Sequence, residues 1–405
     1  MPRLPDGDPA PADGALPVPA LAGLGERPLG VYVHVPYCSS RCGYCDFNTY
    51  TAADLPRGGA RAAFASAAAA EIRLARRVLG DAAPPVETVF FGGGTPTLLP
   101  VDDLAAILRA IDDELGLAPG AEVTTEANPE TVDERALAAL REAGFTRVSL
   151  GMQSAVPHVL AVLDREHTPG RAAAAAAQAR AAGFDHVSLD LIYGTPGETD
   201  ADWRESLEAA LAAGPDHVSA YALTLEPGTR LHARVRRGET AAPDDDAMAD
   251  RYRAADALLG EAGLRWYEIS NWAAGDGARC RHNLGYWRGC DWWGAGPGAH
   301  SHVGGVRWWN LLHPTAWADR LAAGASPAHA REVLDPATRR LERIMLETRL
   351  AGGLDAAELS DDGRAGAARL AADGLLDRAA LDSGRAVLTA TGRLVAETVV
   401  RVLAA

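Results

Sequence analysis

Three observations predict an α/β chain whose parallel strands form an open, partial (β/α)6 barrel. From residue 29 onward, short apolar or β-branched runs alternate with long stretches rich in Ala, Leu and Arg. Six such units follow one another, which predicts parallel strands joined by right-handed crossovers, and six are too few for a closed eight-fold barrel. Unusual polar residues then recur just after the runs, at the expected carboxyl ends of the strands, where sites form in folds of this class.

Residues 1–28 hold many Pro, Gly, Ala and Asp and have no basic start before an apolar run, so they read as a flexible leader rather than a signal peptide. Strands are expected at 30–35, 88–91, 122–126, 147–150, 186–192 and 217–223. Helices are expected at 61–79, 101–115, 132–143, about 171–182, and 202–213. Pro100-Val-Asp-Asp and Asn128-Pro-Glu-Thr are plausible helix starts. The barrel is therefore assigned to 29–240. Asp244-Asp245-Asp246 marks a boundary or cap before a helix at 247–262. An aromatic-rich extension occupies 241–335. Residues 336–405 carry two or three helices and a strand-like pair around 375–388, an α+β extension resembling a winged-helix module. Its basic residues are interspersed with Asp and Glu, so a packing or lid role is expected rather than DNA binding.

Composition excludes several classes. The chain has 405 residues, 39 basic against 54 acidic, for a net charge of −15. Such acidity argues against broad nucleic-acid binding and against simple attachment to anionic lipid. Every basic residue is arginine, which removes Schiff-base lysines, pyridoxal anchoring and a P-loop. Five cysteines are an odd number in a long chain, so a disulfide scaffold is not expected. Charges interrupt every apolar stretch before membrane-spanning length. A soluble protein of a reduced, cytoplasmic compartment is the expectation.

Cys38-x3-Cys42-x2-Cys45 follows the first expected strand. Three thiolates on one short loop can bind three irons of a 4Fe–4S cube and leave the fourth iron open. An open iron can take the amino and carboxylate groups of S-adenosylmethionine. Electron transfer into the sulfonium then cleaves a carbon–sulfur bond and yields a 5′-deoxyadenosyl radical. The alternatives are zinc, which in a closed structural site wants four ligands, or free structural thiols. His34 precedes the triplet and supplies no clear fourth position. Gly92-Gly93-Gly94-Thr95-Pro96 follows the second expected strand, where glycine lets the backbone approach a ligand closely.

The cysteine spacing and the glycine-rich strand end resemble the radical SAM superfamily. The resemblance narrows over Tyr32-Val-His-Val-Pro-Tyr-Cys38, Thr125-Glu126-Ala-Asn128-Pro129, Ser149-Leu-Gly-Met-Gln153-Ser154, Asp190-Leu-Ile-Tyr-Gly194, His217-Val-Ser-Ala-Tyr221-Ala-Leu-Thr224 and Glu226-Pro-Gly-Thr229. Together these are similar to the branch that holds oxygen-independent coproporphyrinogen III dehydrogenase (HemN) and the HemW-type haem chaperones, over about residues 29–400. The resemblance implies a 4Fe–4S cluster on Cys38, Cys42 and Cys45. It implies S-adenosylmethionine contacts from Tyr32, Gly93 and Glu126, and cofactor and substrate space lined by Tyr44, Gly94, Thr95, Gln153, Arg165 and Asp190. A surface pairing of Arg165 with Asp164 or Glu166, and a turn cap at Asp190, are the plainer readings of those two residues.

Two features of the resemblance favour the chaperones. Dehydrogenases of the branch carry a further cysteine two residues after the triplet, where this chain has Phe47. His282-Asn283-Leu284-Gly285-Tyr286-Trp287 matches the H-N-x-x-Y-W motif of the HemW type, and Trp292-Trp293-Gly-Ala-Gly-Pro-Gly-Ala-His300-Ser301 follows it. His282 or Tyr286 can ligate haem iron, Trp287, Trp292 and Trp293 offer flat faces, and Arg279, Arg281 and Arg288 can pair with propionates. Cys280 and Cys290 flank the motif as further thiolate candidates. The plainer reading of His282 is a satisfied structural histidine. The expected function is binding of haem and its transfer to acceptor proteins, respiratory ones among them, with no nucleic-acid partner and at most transient membrane association. The rivals are the dehydrogenase itself and a cluster-free binding module.

Overall fold

A computed structural model describes residues 5–55, 59–165 and 167–405; residues 1–4 of the expected leader, and Glu166, lie outside that set. Thirteen strands form one mixed sheet. In chain order they are β1 (Asp8–Pro9), β2 (Leu29–Val35), β3 (Val86–Gly93), β4 (Leu117–Ala127), β5 (Arg147–Gln153), β6 (His186–Tyr193), β7 (His217–Ala222), β8 (Arg265–Glu268), β9 (Asn271–Ala273), β10 (Asp291–Ala295), β11 (His300–Val303), β12 (Val306–Asn310) and β13 (Ala328–Val333). Strands β2 to β7 lie side by side in sequence order and pair in parallel, as the six repeats require.

The helices between them cover one face. In β2, Val31, Val33 and Val35 are fully buried in a core shared with Ile72, Ala75, Leu104 and Leu108 of the first two crossover helices. The helix Val101–Leu115 buries Leu104, Ile107, Leu108, Ile111 and Leu115, the spacing of a single helical face. Alternation sends the other residues of each strand to the opposite face, and that face is polar. Thr88, Glu122, Thr124, Arg147, Ser188, His217 and Ser219 lie there, all buried. A polar inner surface running through successive parallel strands is what a site needs and what a plain apolar core would exclude.

Residues 241–335 extend both edges of this sheet. β9 adds antiparallel to β7 and β8 antiparallel to β9, while β10 adds parallel to β2, with Asp291 opposite Leu29. β11, β12 and β13 continue as an antiparallel meander. The segment expected as a flexible leader reaches the far edge: Asp8 and Pro9 pair with Arg331 and Ala330, and Ala20 is buried.

Several expected boundaries move. β4 begins at Leu117, five residues before the expected start, because Leu117 pairs with Val86 ahead of a register shift. Asn128-Pro-Glu-Thr does not start the long helix. Asn128 caps a 3-10 turn at Pro129–Thr131, and Asp133 caps the helix Glu134–Glu142. Asp244 does cap the helix Asp245–Glu261, accepting from Ala247 N at 2.8 Å. In the C-terminal segment the expected strand pair reduces to one bridge, Leu376 to Leu388, while β14 (Leu354–Asp355) pairs with β15 (Arg385–Ala386). Five helices surround this small sheet, among them Pro336–Glu347, Asp361–Ala372 and Ala396–Leu403, over a separate core containing Ile344, Leu370, Leu376 and Val399.

A buried carboxylate ties the extension to the first crossover helix. Glu71 accepts from Gly296 N at 2.8 Å, Trp317 Nε1 at 2.7 Å and Asn310 Nδ2 at 2.7 Å. Glu71→Leu leaves three buried donors unpaired, at about 1–3 kcal/mol each. Chemical denaturation is expected to show a loss of at least about 3 kcal/mol; a loss below about 1 kcal/mol would mean that this network anchors nothing. Among the described residues no helix is long and apolar enough to cross a membrane.

Candidate functional site

The carboxyl ends of β2 to β7 enclose a cavity of ≈ 570 Å³. That lies within the roughly 300–1,000 Å³ usual for small-molecule sites. Cys38, Cys42 and Cys45 line it from the loop after β2, and Gly93, Gly94 and Thr95 from the end of β3. Glu126 comes from β4, Gly151 and Gln153 from β5, Asp190 and Ile192 from β6, and Tyr221 from β7. Tyr44 and Arg165 complete the wall. Every residue expected at this site lines the cavity except Tyr32. Tyr32 sits one pleat lower, its ring stacked on Phe90 and its hydroxyl 2.9 Å from His34 Nδ1.

The cysteine loop is fixed from both sides. Cys38 N donates to Tyr50 O at 3.0 Å, and Tyr50 N to Pro36 O at 2.7 Å. His34 Nε2 meets Asn48 O at 2.9 Å, and Asn48 Nδ2 donates to Pro297 O and Leu312 O. The thiols also face donors. Thr95 Oγ1 lies 4.0 Å from Cys38 Sγ, and Arg165 Nη1 lies 3.4 Å from Cys42 Sγ. Burial pushes the Cys45 thiol up to about 11 and raises Cys38 as well. Thiolates here therefore need a positive group beside them. Among the described residues no three His, Cys, Asp or Glu side chains converge on one metal ion. An iron–sulfur cube asks for something else, one thiolate for each of three irons.

The walls fit a polar, cation-bearing ligand. Gly93 has φ 108°, and a Cβ on Gly94 would stand 2.6 Å from Tyr37 O, so side chains are excluded where the backbone rims the cavity. The Glu126 carboxylate accepts from Gly93 N at 3.1 Å; burial, then Asp190, pushes it up to about 8. Both Asp190 oxygens accept from Ser149 Oγ, at 2.9 and 2.8 Å. Arg165 does not pair with Asp164, which meets Arg230 instead. Its Nη2 donates to Gly151 O at 3.1 Å, and its buried Nε has no partner among the described residues. Two neighbouring buried carboxyls and an unused guanidinium N–H are groups awaiting a ligand. Ser149, Gly151 and Ile192 were not singled out as site residues from sequence, although strand alternation points from Gln153 to Gly151 and Ser149 and from Asp190 to Ile192.

The H-N-x-x-Y-W segment lies at the other end of the strands. The helix Arg281–Trp287 packs beneath the amino ends of β2, β3 and β10, beside a second, smaller cavity of ≈ 240 Å³. His282, Tyr286, Arg288, Cys290 and Trp292 line it; Trp287 does not. His282 is 3% exposed, with Nδ1 2.8 Å from Thr88 Oγ1 and Nε2 2.8 Å from the Tyr286 hydroxyl. Both ring nitrogens are thus occupied, as for a satisfied structural histidine, and burial pushes its pKa down to about 3. Trp287 packs with Tyr267 and Leu284, and Trp293 against Trp308, so of the three expected flat faces only Trp292 borders the cavity. Arg279 pairs with Asp276 and Arg281 with Glu87, while Arg288, which also lines this cavity, has no ion pair among the described residues. Cys280 is buried and donates to Glu122, and its thiol is pushed well up.

Comparison with known proteins gives the family. The family model for the radical SAM superfamily matches residues 32–210. The chain is 54% identical over 386 residues to the haem chaperone HemW of Mycobacterium tuberculosis (strain H37Rv), covering 95% of this chain and 97% of that protein. It is 38% identical to the HemW haem chaperone of Synechocystis, covering 82% of this chain and 80% of that one. Among solved structures, the Escherichia coli coproporphyrinogen III oxidase HemN, described as a radical SAM enzyme, superposes with a TM-score of 0.80 at 22% identity, over 95% of this chain and 92% of that one. At that identity the likeness speaks for the fold alone.

Proposed function

Because the chain belongs to the radical SAM superfamily, within its HemW/HemN-like branch, we propose that it is a haem chaperone, which binds haem and passes it to acceptor haem proteins. Phe47 carries this reading against the dehydrogenase. It stands where the dehydrogenases of the branch have their further cysteine, and the residue is 58% exposed at the cavity that the three cysteines line. The names of the HemW relatives support the same choice. The parallel run β2 to β7 is read as the partial barrel, and residues 336–405 as the winged-helix-like module.

Cys38, Cys42 and Cys45 would hold the 4Fe–4S cluster. Tyr44, Gly93, Gly94, Thr95, Glu126, Gln153, Arg165 and Asp190 would border S-adenosylmethionine, with Tyr32 supporting from below. When bound, this pair supplies an open iron and one-electron chemistry at a sulfonium. The chain's own residues do the rest. Thr95 and Arg165 donate toward sulfur, Glu126 offers a carboxylate to a cation or N–H group, and Asp190 offers one to hydroxyls. From the polar face, Ser149 Oγ donates to Asp190 and helps fix it.

Haem would dock at residues 282–287, with Trp292 as the flat face and Arg288 toward a propionate. Ligation through His282 Nε2 requires the Tyr286 hydroxyl to leave that nitrogen. The acceptors are haem proteins, respiratory ones among them; no nucleic acid takes part, and membrane contact is transient. Two measurements test the reading. Cluster-loaded protein titrated with ferric haem should develop a saturable Soret band. Incubated anaerobically with coproporphyrinogen III, S-adenosylmethionine and a reductant, it should form no protoporphyrinogen IX. Formation over many turnovers would replace the chaperone by the dehydrogenase.

A further inference from the structure

We infer that Glu122 and Arg147, a buried ion pair on β4 and β5, are positioning residues that set the backbone of residues 278–282 and thereby the place of His282. The inference rests on the reading that haem docks at 282–287 and names what holds that site in register.

The pair lies beneath the cysteine cavity, on the same polar face but at the amino ends of the strands. Glu122 is 6% exposed and Arg147 1%. Arg147 Nε donates to Glu122 Oε2 at 3.2 Å. Their other hydrogen bonds go to one distant segment, and Arg147 Nη1 has no partner among the described residues. Glu122 Oε2 accepts from Arg281 N at 3.1 Å, and Oε1 from His282 N at 3.0 Å and from Cys280 Sγ at 3.6 Å. Arg147 Nη2 donates to Ala278 O at 2.7 Å and to Arg279 O at 3.1 Å. The carboxylate thus takes the N–H groups on one side of the turn, and the guanidinium takes the carbonyls on the other. Tyr267 adds a third anchor, its hydroxyl accepting from Cys280 N at 3.2 Å.

A buried ion pair of this kind is weak evidence of stabilisation, since apolar replacements of similar volume are often as stable. Its distinctive product is geometric. Five polar contacts converge on residues 278–282, immediately before and at the motif histidine, while none of them reaches the cofactor cavity. With the backbone held there, the imidazole stands between Thr88 and Tyr286 in the wall of the smaller cavity. Shifts of about 1 Å at a positioned group are enough to cost large factors in function.

Ferric haem is the probe, and the variants are Glu122→Gln, Glu122→Ala, Arg147→Lys and His282→Ala in the full chain. Glu122→Gln keeps shape but loses the charge and one acceptor; Arg147→Lys keeps charge but loses the fork. The expected result is haem affinity at least tenfold weaker and a displaced Soret maximum in Glu122→Ala, smaller defects in the two conservative variants, and iron and sulfide per chain at the wild-type level in all of them. A merely structural role would lower cluster content and haem binding together, and that outcome overturns the inference. So do Glu122→Gln and Arg147→Lys proteins with wild-type haem affinity and Soret maximum, which also decides the matter should Glu122→Ala not fold. Unchanged haem binding in His282→Ala overturns the docking reading, and this inference with it. A defect in His282→Ala with none in the Glu122 and Arg147 variants overturns this inference alone.

Discussion

Replacing any one of Cys38, Cys42 or Cys45 by serine is expected to abolish the iron–sulfur cluster. After anaerobic reconstitution, iron and acid-labile sulfide should fall from about four each per chain to near zero, and the broad visible absorption should vanish. The size of the effect follows from the geometry. The three sulfurs stand on one loop whose ends are pinned by Cys38 N to Tyr50 O and by Asn48 to Pro297 and Leu312, so no other thiol can move in. The two remaining cysteines, Cys280 and Cys290, belong to the opposite end of the strands, where Cys280 is bound to Glu122 and Cys290 borders the smaller cavity. A serine hydroxyl is a poor substitute for thiolate on iron. Cys280→Ser and Cys290→Ser should leave the cluster untouched, which makes them the controls. Full cluster content in a Cys42→Ser protein would sink the assignment of the triplet. It would leave zinc or plain thiols as the readings of the loop.

The contrast between the two ends shows what was legible in the residues. Strands β2 to β7 announce themselves because a parallel strand is covered on both sides and because glycine and proline punctuate its ends. The triplet and Gly93-Gly94-Thr95 are legible for the same reason, being local in sequence and local in space. Other features depend on partners far along the chain. His282 looks like a free ligand in sequence, yet its Nδ1 partner Thr88 is 194 residues away. β10 inserts beside β2 through a parallel pairing that no short-range periodicity reports. Residues 8–9 read as leader because the strand that receives them, β13, lies more than three hundred positions later. Tyr32 shares a face with His34, so side-chain alternation alone gives its side of the sheet but not its depth along it. Interior polarity shows in sequence only as polar residues gathered at the carboxyl ends of the runs. In the fold it is one continuous face that links the cysteine cavity above to the Glu122–Arg147 clamp below.

Glu126 supplies the second large effect, in the pH dependence of S-adenosylmethionine binding. Its carboxyl is pushed up to about 8 by burial and by Asp190, so near neutrality most of it is protonated while the cavity is empty of any cation. A sulfonium carries a permanent positive charge and favours the ionised carboxylate. Binding must then release a proton below about pH 8, and affinity rises as pH rises. If only the carboxylate form binds, the gain from pH 6 to pH 8 approaches roughly 50-fold, and the curve flattens above. Glu126→Gln keeps the size of the side chain and removes the titration. The variant should bind at least about tenfold more weakly at pH 8.5, the loss expected of a charge-assisted hydrogen bond, with a flat profile between pH 6 and 8.5. Asp190→Asn should move the wild-type profile instead of flattening it, because the repulsion that helps hold Glu126 neutral is then gone and its pKa falls. Equilibrium binding to cluster-loaded protein reads both effects without any turnover. Parallel profiles for wild type and Glu126→Gln would place the carboxylate outside the ligand's reach, and its raised pKa would then be explained by burial and Asp190 alone.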